Sequence, residues 1–529
     1  MKVLIKNIRF FDGTKKESSI KNILINNQKI EKISTSPITV DSDINKVIDG
    51  SGKWLTPGFV DTHTHYDAEI LLSPGLKESV RHGVTTNIFG SCSISMVYSS
   101  PLDCSDIFTR VEGVPREVIL PLLEKEKTWN TPQEYIEALE KRPLGPNISC
   151  FIGHSDIRIS TLGLKKAVDK NYSPTKLETK EMQNKVEESM QAGFCGLSMM
   201  TTKWDKLDGE RERSKPLPST FARIKEFRAL NKVLKKYDRI LQGAPDIVTK
   251  YNMFFFLFES AGLFKKKLKT TLITLADTKS NPIIYLFAMT MGKLFNLFFN
   301  ADFKWQVLPC RFQVFADGMD LVVFEEFGAG EEALHIKNQM QRNELLKDKH
   351  YRKRFLNDYK TKFSPRVWHR NFGDAYILDC PNPEYINKSF SDIATMNNKH
   401  PVDQFLDIII EFGTKLRWTT TIANHRKKVL QQMTKSDAAI ISFSDAGAHL
   451  RNMAFYNFPL QLLKLVYDAQ EENRPYMSLE HAVHRVTGEL ADWFGLECGY
   501  LYEGARADLV IINPEGLNDD VLEIKEAEF

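Results

Sequence analysis

Two histidines two residues apart, His63 and His65, stand near the end of the stretch Leu55-Thr-Pro-Gly-Phe-Val-Asp-Thr-His-Thr-His-Tyr-Asp67. In an extended strand, residues i and i+2 project from one face, so both imidazoles would point the same way. Two neutral imidazoles at a strand end suit one divalent cation; the plainer reading is a surface strand that happens to carry two histidines. A second candidate lies far downstream, in Ile441-Ser-Phe-Ser-Asp-Ala-Gly-Ala-His-Leu-Arg451. Asp445 stands just past an apolar run, on a turn of small residues, where a carboxylate can reach a cation or, alternatively, cap a helix. A divalent cation lowers the pKa of water to about 7, and a carboxylate beside it can accept that proton and return it to a leaving nitrogen. Metal-assisted hydrolysis with Asp445 as base is the chemistry expected. His449 and Arg451 follow closely and are candidates for holding substrate, since a guanidinium suits a carboxylate in bidentate fashion.

The elements that must position these groups read as an α/β chain. Residues 1–56 form short alternating runs at 3–11, 22–26, 29–34 and 46–49, separated by Asp-Gly, Asn-Asn and Gly turns, which predicts a small β-module. One more apolar strand is expected within 504–514. Strands at both ends predict a β-sandwich made from the two termini, residues 1–56 and 491–529, around a domain at 57–490. Inside that domain, strand patterns at 83–90, 148–153, 194–198, 239–242, 270–275 and 438–443 alternate with helical ones at 132–141, 178–191, 221–237 and 402–412. Repeated β-then-α over this length predicts a (β/α)₈ TIM-like barrel, whose chemistry belongs at the C-terminal strand ends. No Gly-x-Gly-x-x-Gly opens a helix after a strand, which argues against an open doubly wound sheet. His63 and His65 follow the first strand, Cys92 the second, His154 the third and Asp445 the last. His154 is split between lining the pocket and a structural role. The aromatic, charged region around 300–400 is expected to be a long insertion near the barrel mouth.

Composition excludes little. Hydrophobic residues make up 42%, charged residues 26%, and the formal net charge is +3, so nothing points to nucleic acid. Basic runs at Lys265–Lys267 and His350–Arg354 read as solvated helix faces. Seven cysteines, an odd number without paired spacing, argue against a disulfide framework. Met1-Lys-Val-Leu-Ile reads as a strand rather than a leader, so the cytoplasm is the expected compartment. The apolar stretch at 282–299 is interrupted by Gly292-Lys293 and Asn296 and falls short of a spanning helix. It and the cluster at 253–258 are expected to be buried or half-buried helix, with no membrane partner.

Several motifs together carry a resemblance. Thr56-Pro-Gly-Phe-Val-Asp-Thr-His-Thr-His-Tyr-Asp67, His82-Gly-Val-Thr-Thr-Asn-Ile-Phe-Gly-Ser-Cys-Ser-Ile-Ser95, Gly153-His-Ser155 and Ser444-Asp-Ala-Gly447 resemble the N-acyl-D-amino-acid deacylase (D-aminoacylase) branch of the amidohydrolase superfamily. The resemblance implies a metal-dependent barrel that hydrolyses the C–N amide bond of an N-acyl amino acid. It implies metal-site roles for His63, His65, Cys92 and Asp445, and zinc as the ion. Members of the family also use histidines after the fifth and sixth strands. Here those places read Ile240-Leu-Gln242 and Leu272-Ile-Thr-Leu-Ala-Asp277. The departure implies one ion at His63, His65 and Asp445, with Cys92 close by, rather than two. The rival readings are a cyclic amidase of the hydantoinase or dihydroorotase kind and a catalytically silent scaffold on the same fold.

Overall fold

In the computed structural model, residues 1–246, 251–361, 366–453 and 455–524 are described. The strands in chain order are β1 Lys2–Phe10, β2 Ser19–Asn26, β3 Lys29–Ser34, β4 Ile44–Asp49, β5 Trp54–Pro57, β6 Phe59–Asp61, β7 Val84–Phe89, β8 Asn147–Gly153, β9 Gly196–Met200, β10 Ile240–Ala244, β11 Thr270–Leu272, β12 Phe303–Val307, β13 Phe312–Asp317, β14 Ala375–Asp379, β15 Arg417–Ala423, β16 Ala439–Ile441 and β17 Leu509–Ile512.

Eight of these, β6 to β12 and then β16, lie side by side in the order β16-β12-β11-β10-β9-β8-β7-β6. Every paired neighbour is parallel. Where both faces of a parallel sheet are covered, strands read as unbroken apolar runs rather than alternating ones; β6, β9 and β10 are buried at every position. The ring closes just beyond the strands. Thr62 N–H donates to Ser442 O at 3.2 Å and His65 N–H to Ala446 O at 2.7 Å, so the chain after the first strand runs beside the chain after the eighth. That seam is where the candidate metal residues sit.

The terminal β-module is one six-stranded sheet in which β17 pairs antiparallel with β5. The region after 300 departs from expectation in one respect. Its first residues are β12, the seventh barrel strand, and the insertion begins only after it. Phe303, Trp305 and Val307 supply the apolar positions of β12, but the run is short and lies among other aromatics. The insertion is a three-stranded antiparallel sheet, β13-β15-β14, under helices that include Pro401–Phe412. Its own core is dense with rings: Phe372 and Phe405 stack at 4.6 Å, and Phe405 meets Trp418 edge-on at 5.9 Å. Lys265–Lys267 also departs from expectation, lying in the loop between helix Tyr251–Ser260 and β11 rather than on a helix face. Among the described residues no helix is long and apolar enough to cross a membrane.

Candidate metal centre

Both histidines emerge at the C-terminal end of β6, and their rings stand 5.5 Å apart. Asp445 follows β16, directly across the seam, with its N–H donating to His63 O at 3.2 Å. Its Oδ1 lies 3.7 Å from His63 Nε2 and 3.3 Å from His65 Nε2. Cys92, after β7, brings Sγ to 3.4 Å from His63 Nε2. One donor atom from each of His63, His65 and Cys92 falls within a common 4.8 Å. All four side chains thus converge on one small volume. Two imidazoles, a thiol and a carboxylate form a borderline-soft set of the kind that holds zinc.

Local backbone makes this convergence possible. Cys92 and Asp445 both adopt left-handed conformations, with φ of 51° and 57°, which non-glycine residues rarely do and which gather at functional sites. The neighbouring glycines make room. A Cβ on Gly90 would meet Phe151 O at 2.2 Å, and one on Gly447 would meet His65 O at 2.2 Å. Asp61 binds the seam underneath, accepting from His63 N–H at 3.3 Å and from the Ser444 hydroxyl.

Two glutamines that the motifs do not announce organise the site. Gln306, on β12, accepts from His63 Nδ1 at 2.7 Å. Nδ1 then carries the proton, and Nε2 presents its lone pair toward Cys92 and Asp445. Gln242 stands at the end of the fifth strand, where the resemblance called for histidine. Its Oε1 accepts from Cys92 N–H at 3.3 Å, and its Nε2 donates to Ser91 Oγ at 3.2 Å and Thr62 O at 3.4 Å. Gln242 therefore ties the cysteine turn to the first strand, and its polar atoms are spent on that task. Gln306→Leu keeps the packing volume but removes the partner of Nδ1. Loss of such a partner lowers metal affinity by roughly 10–100-fold, and that drop is the expected outcome when zinc affinity is titrated against a chelator; unchanged affinity would show that Gln306 does not orient the ring.

Electrostatics divide the roles. Burial lowers His63 to a pKa of about 4, the nearby Asp445 carboxylate only partly opposing it, so the ring is neutral at neutral pH. Burial works against the charge on Asp445, but His65, His63 and His449 together hold its pKa down to about 2. Burial and the carboxylates of Asp205 and Asp445 push the Cys92 thiol up, a bias that a coordinated cation reverses.

His449, Arg451 and Asp205 line a cavity of about 550 Å³, together with Arg110, Trp204 and Leu450. Its size suits a small organic ligand. Arg451 stands on the outer rim, its side chain 61% exposed and its Nε 2.8 Å from Asp317. Asp205, in the loop after β9, is the residue the motifs missed; burial raises its carboxyl, with His449 and His65 opposing. His154 departs from the pocket-lining expectation. It is fully buried, with Nδ1 2.9 Å from Ser219 Oγ and Nε2 2.9 Å from Glu226, so both nitrogens are engaged in packing helices behind the barrel.

No family model matches the chain. It is 45% identical over 524 residues to uncharacterised proteins of Mycobacterium tuberculosis (strain ATCC 25618 / H37Rv) and Mycobacterium bovis, covering 98% of this chain and 85% of each relative. A shorter match, 30% identical over 155 residues (29% of this chain and 28% of the relative), is to an N-acyl-D-aspartate deacylase of Alcaligenes xylosoxydans xylosoxydans. Among solved structures, a D-aminoacylase with a binuclear metal centre superposes with a TM-score of 0.61 at 18% identity, over 97% of this chain and 90% of that one. An N-acyl-D-glutamate deacylase of Bordetella bronchiseptica, complexed with zinc and a phosphonate inhibitor, gives 0.60 at 18% identity over the same shares.

Proposed function

We propose that the chain is a member of the D-aminoacylase-like branch of the amidohydrolase superfamily, a reading supported by its partial match to an N-acyl-D-aspartate deacylase and by its fold, and that it is a zinc-dependent hydrolase that cleaves the C–N amide bond of an N-acyl-D-amino acid. The observation that carries this reading is the convergence of His63, His65, Cys92 and Asp445 on one small volume. These four residues would hold a single ion. When bound, that ion supplies Lewis-acid polarisation of the scissile carbonyl and lowers the pKa of water to about 7.

The protein's own groups do the rest. Asp445, ionised down to about pH 2, accepts a proton at Oδ from attacking water and later delivers it to the leaving nitrogen. His63 stays neutral and oriented through Gln306. The cavity lined by Asp205, His449 and Arg451 takes the body of the substrate, and the Arg451 guanidinium offers a positive charge to the carboxylate that every N-acyl amino acid carries. Gln242, committed to the cysteine turn, leaves no donor for a second ion at the fifth strand.

A hydrolysis screen of N-acyl-D- and N-acyl-L-amino acids alongside hydantoins, with zinc added, tests the reading. Turnover of N-acyl-D-amino acids with hydantoins untouched is expected. Turnover of hydantoins alone would reassign the protein to the cyclic amidases. Absence of both turnover and metal uptake would make it a scaffold.

A further inference from the structure

Helix Ile284–Phe298 connects the mouth end of β11 to the start of β12, so it runs down the outer wall of the barrel. Its inward face is built of Ala288, Gly292 and Phe295. Its outward face carries the larger apolar residues. Ile283 just before it is 66% exposed, Leu297 74% and Phe298 64%, with Leu286, Phe287 and Leu294 also exposed. At positions 283, 286, 287, 294, 297 and 298 these make one stripe at helical spacing, facing solvent instead of core.

The preceding helix, Tyr251–Ser260, extends the patch. Phe258 is exposed and packs edge-on against Phe295 at 5.2 Å. In the loop that follows, Leu263 N–H donates to Phe299 O at 3.2 Å, which docks the loop on the end of the second helix. The next residue, Phe264, is 98% exposed. Contiguous apolar surface of this kind on a soluble chain marks an interaction site.

Charge decides what covers it. Residues 261–300 contain six lysines and one acidic residue, Asp277, which is buried and held by Arg426. Lys265, Lys266 and Lys267 directly follow Phe264, and Lys293 lies on the exposed side of the helix. Glu259 is shared among Arg228, Lys235 and Lys265 at 3.4, 3.6 and 4.0 Å, and Lys267 reaches Asp302 at 3.7 Å. Lys266 and Lys293 have no ion pair among the described residues. A second copy of this chain fits poorly here, because a two-fold contact sets a patch against its own counterpart and would bring lysine against lysine. An acidic surface that also accepts apolar side chains satisfies both features.

We infer that this face, Phe258–Lys267 together with helix Ile284–Phe298, docks the protein on a lipid bilayer that carries anionic headgroups. The phenylalanines and leucines enter the headgroup–acyl boundary, and the lysines remain at headgroup level with their apolar stems along the interface. Lying on a surface needs no helix of spanning length. The inference is independent of what the active site hydrolyses.

Vesicle co-sedimentation of the full chain tests it, with vesicles of phosphatidylcholine alone or mixed with phosphatidylglycerol. Binding to the mixed vesicles is expected, weaker to phosphatidylcholine and weakened by salt. The triple variant Lys265→Glu, Lys266→Glu, Lys267→Glu lowers partition about tenfold or more, since each surface lysine contributes severalfold. The variant Leu297→Ser, Phe298→Ser lowers it independently of salt. All these residues are exposed, and the surface pairs lost at Lys265 and Lys267 contribute at most about 1 kcal/mol each, so the fold should be retained with at most a small drop in Tm; should a multiple variant fail to fold, the single Lys266→Glu and the salt titration of the unmodified chain decide. The docking face is wrong if the chain ignores both vesicles or if the triple variant binds undiminished. It is equally wrong if the apolar variant instead converts a dimer to a monomer.

Discussion

His63→Ala abolishes metal retention and, with it, turnover of whatever substrate the screen reveals. Of the four converging residues, His63 has the most partners. Its Nε2 faces both Cys92 and Asp445, its Nδ1 is held by Gln306, and its ring packs edge-on against Phe443 at 5.0 Å. Removing it takes a neutral nitrogen donor from the centre and leaves Gln306 Oε1 without its partner. Several kcal/mol of transition-state stabilisation by a bound ion, at about 1.4 kcal/mol per tenfold in rate, predicts a fall in kcat/KM of at least ~10³. Elemental analysis of the purified variant should find no stoichiometric zinc, while the far-UV spectrum stays that of the folded barrel. A variant that keeps both metal and activity would mean that the ion is held elsewhere. Asp445→Asn is the informative companion. It retains a side chain of the same shape at the seam but cannot accept the proton, so kcat should fall further than metal content does.

Glu226→Ala carries the largest expected loss of stability. Glu226, on helix Ile224–Tyr237, is buried between His154 and Arg158 of helix His154–Leu162. Arg158 is fully buried, donates to both Glu226 oxygens and reaches Ala167 O at 3.2 Å. Deleting the carboxylate leaves a guanidinium buried without compensation, a change that costs about 3–5 kcal/mol. Glu226→Gln should cost less, because its single carbonyl oxygen can still accept from Arg158, although its amide NH2 takes the place of the second acceptor. The pH dependence has a definite sign. Burial raises the Glu226 pKa, but the His154 bond and charge, with Arg158, outweigh it and leave the folded value below the unfolded one. The contribution is therefore complete above the unfolded pKa and is lost as pH falls through the lower folded value. Unfolding followed with denaturant should show a wild-type advantage over Glu226→Ala at neutral pH that narrows in acid. An advantage that stayed constant into acid would show that the carboxylate's charge is not what holds the two helices.

The same triad shows why His154 was ambiguous in the sequence. Gly153-His-Ser155 ends a strand, where a barrel keeps its chemistry, and nothing local distinguishes a histidine aimed at the mouth from one aimed at a helix behind. The deciding partners, Ser219 and Glu226, lie 65 and 72 residues away. Gln306 is 243 residues from His63, on a strand hidden among aromatics. Asp205 belongs to no spacing pattern at all. In the apolar stretch 282–299 the helix was legible from composition. Its orientation was not, because the packing of Ala288 and Gly292 against the barrel turned the bulky residues outward.

Local chemistry sufficed for the rest. The alternation of buried apolar runs with amphipathic helices specified a parallel sheet covered on both faces, and its closing into a ring was decided by the seam where Thr62 meets Ser442 and His65 meets Ala446. The His-x-His spacing brought two imidazoles together, their rings 5.5 Å apart, in the stretch just past β6 where Thr64 between them bridges to Ala446. A carboxylate on a small-residue turn after the last strand completed that pair once the ring closed. Tertiary structure alone decided that Gln242 anchors the cysteine turn in place of a ligand, that Gln306 sets the tautomer of His63, and that one outer helix presents its apolar side to solvent. Each of those outcomes depends on which distant group lies within hydrogen-bonding or van der Waals reach, a distance that exists only after the chain has closed on itself.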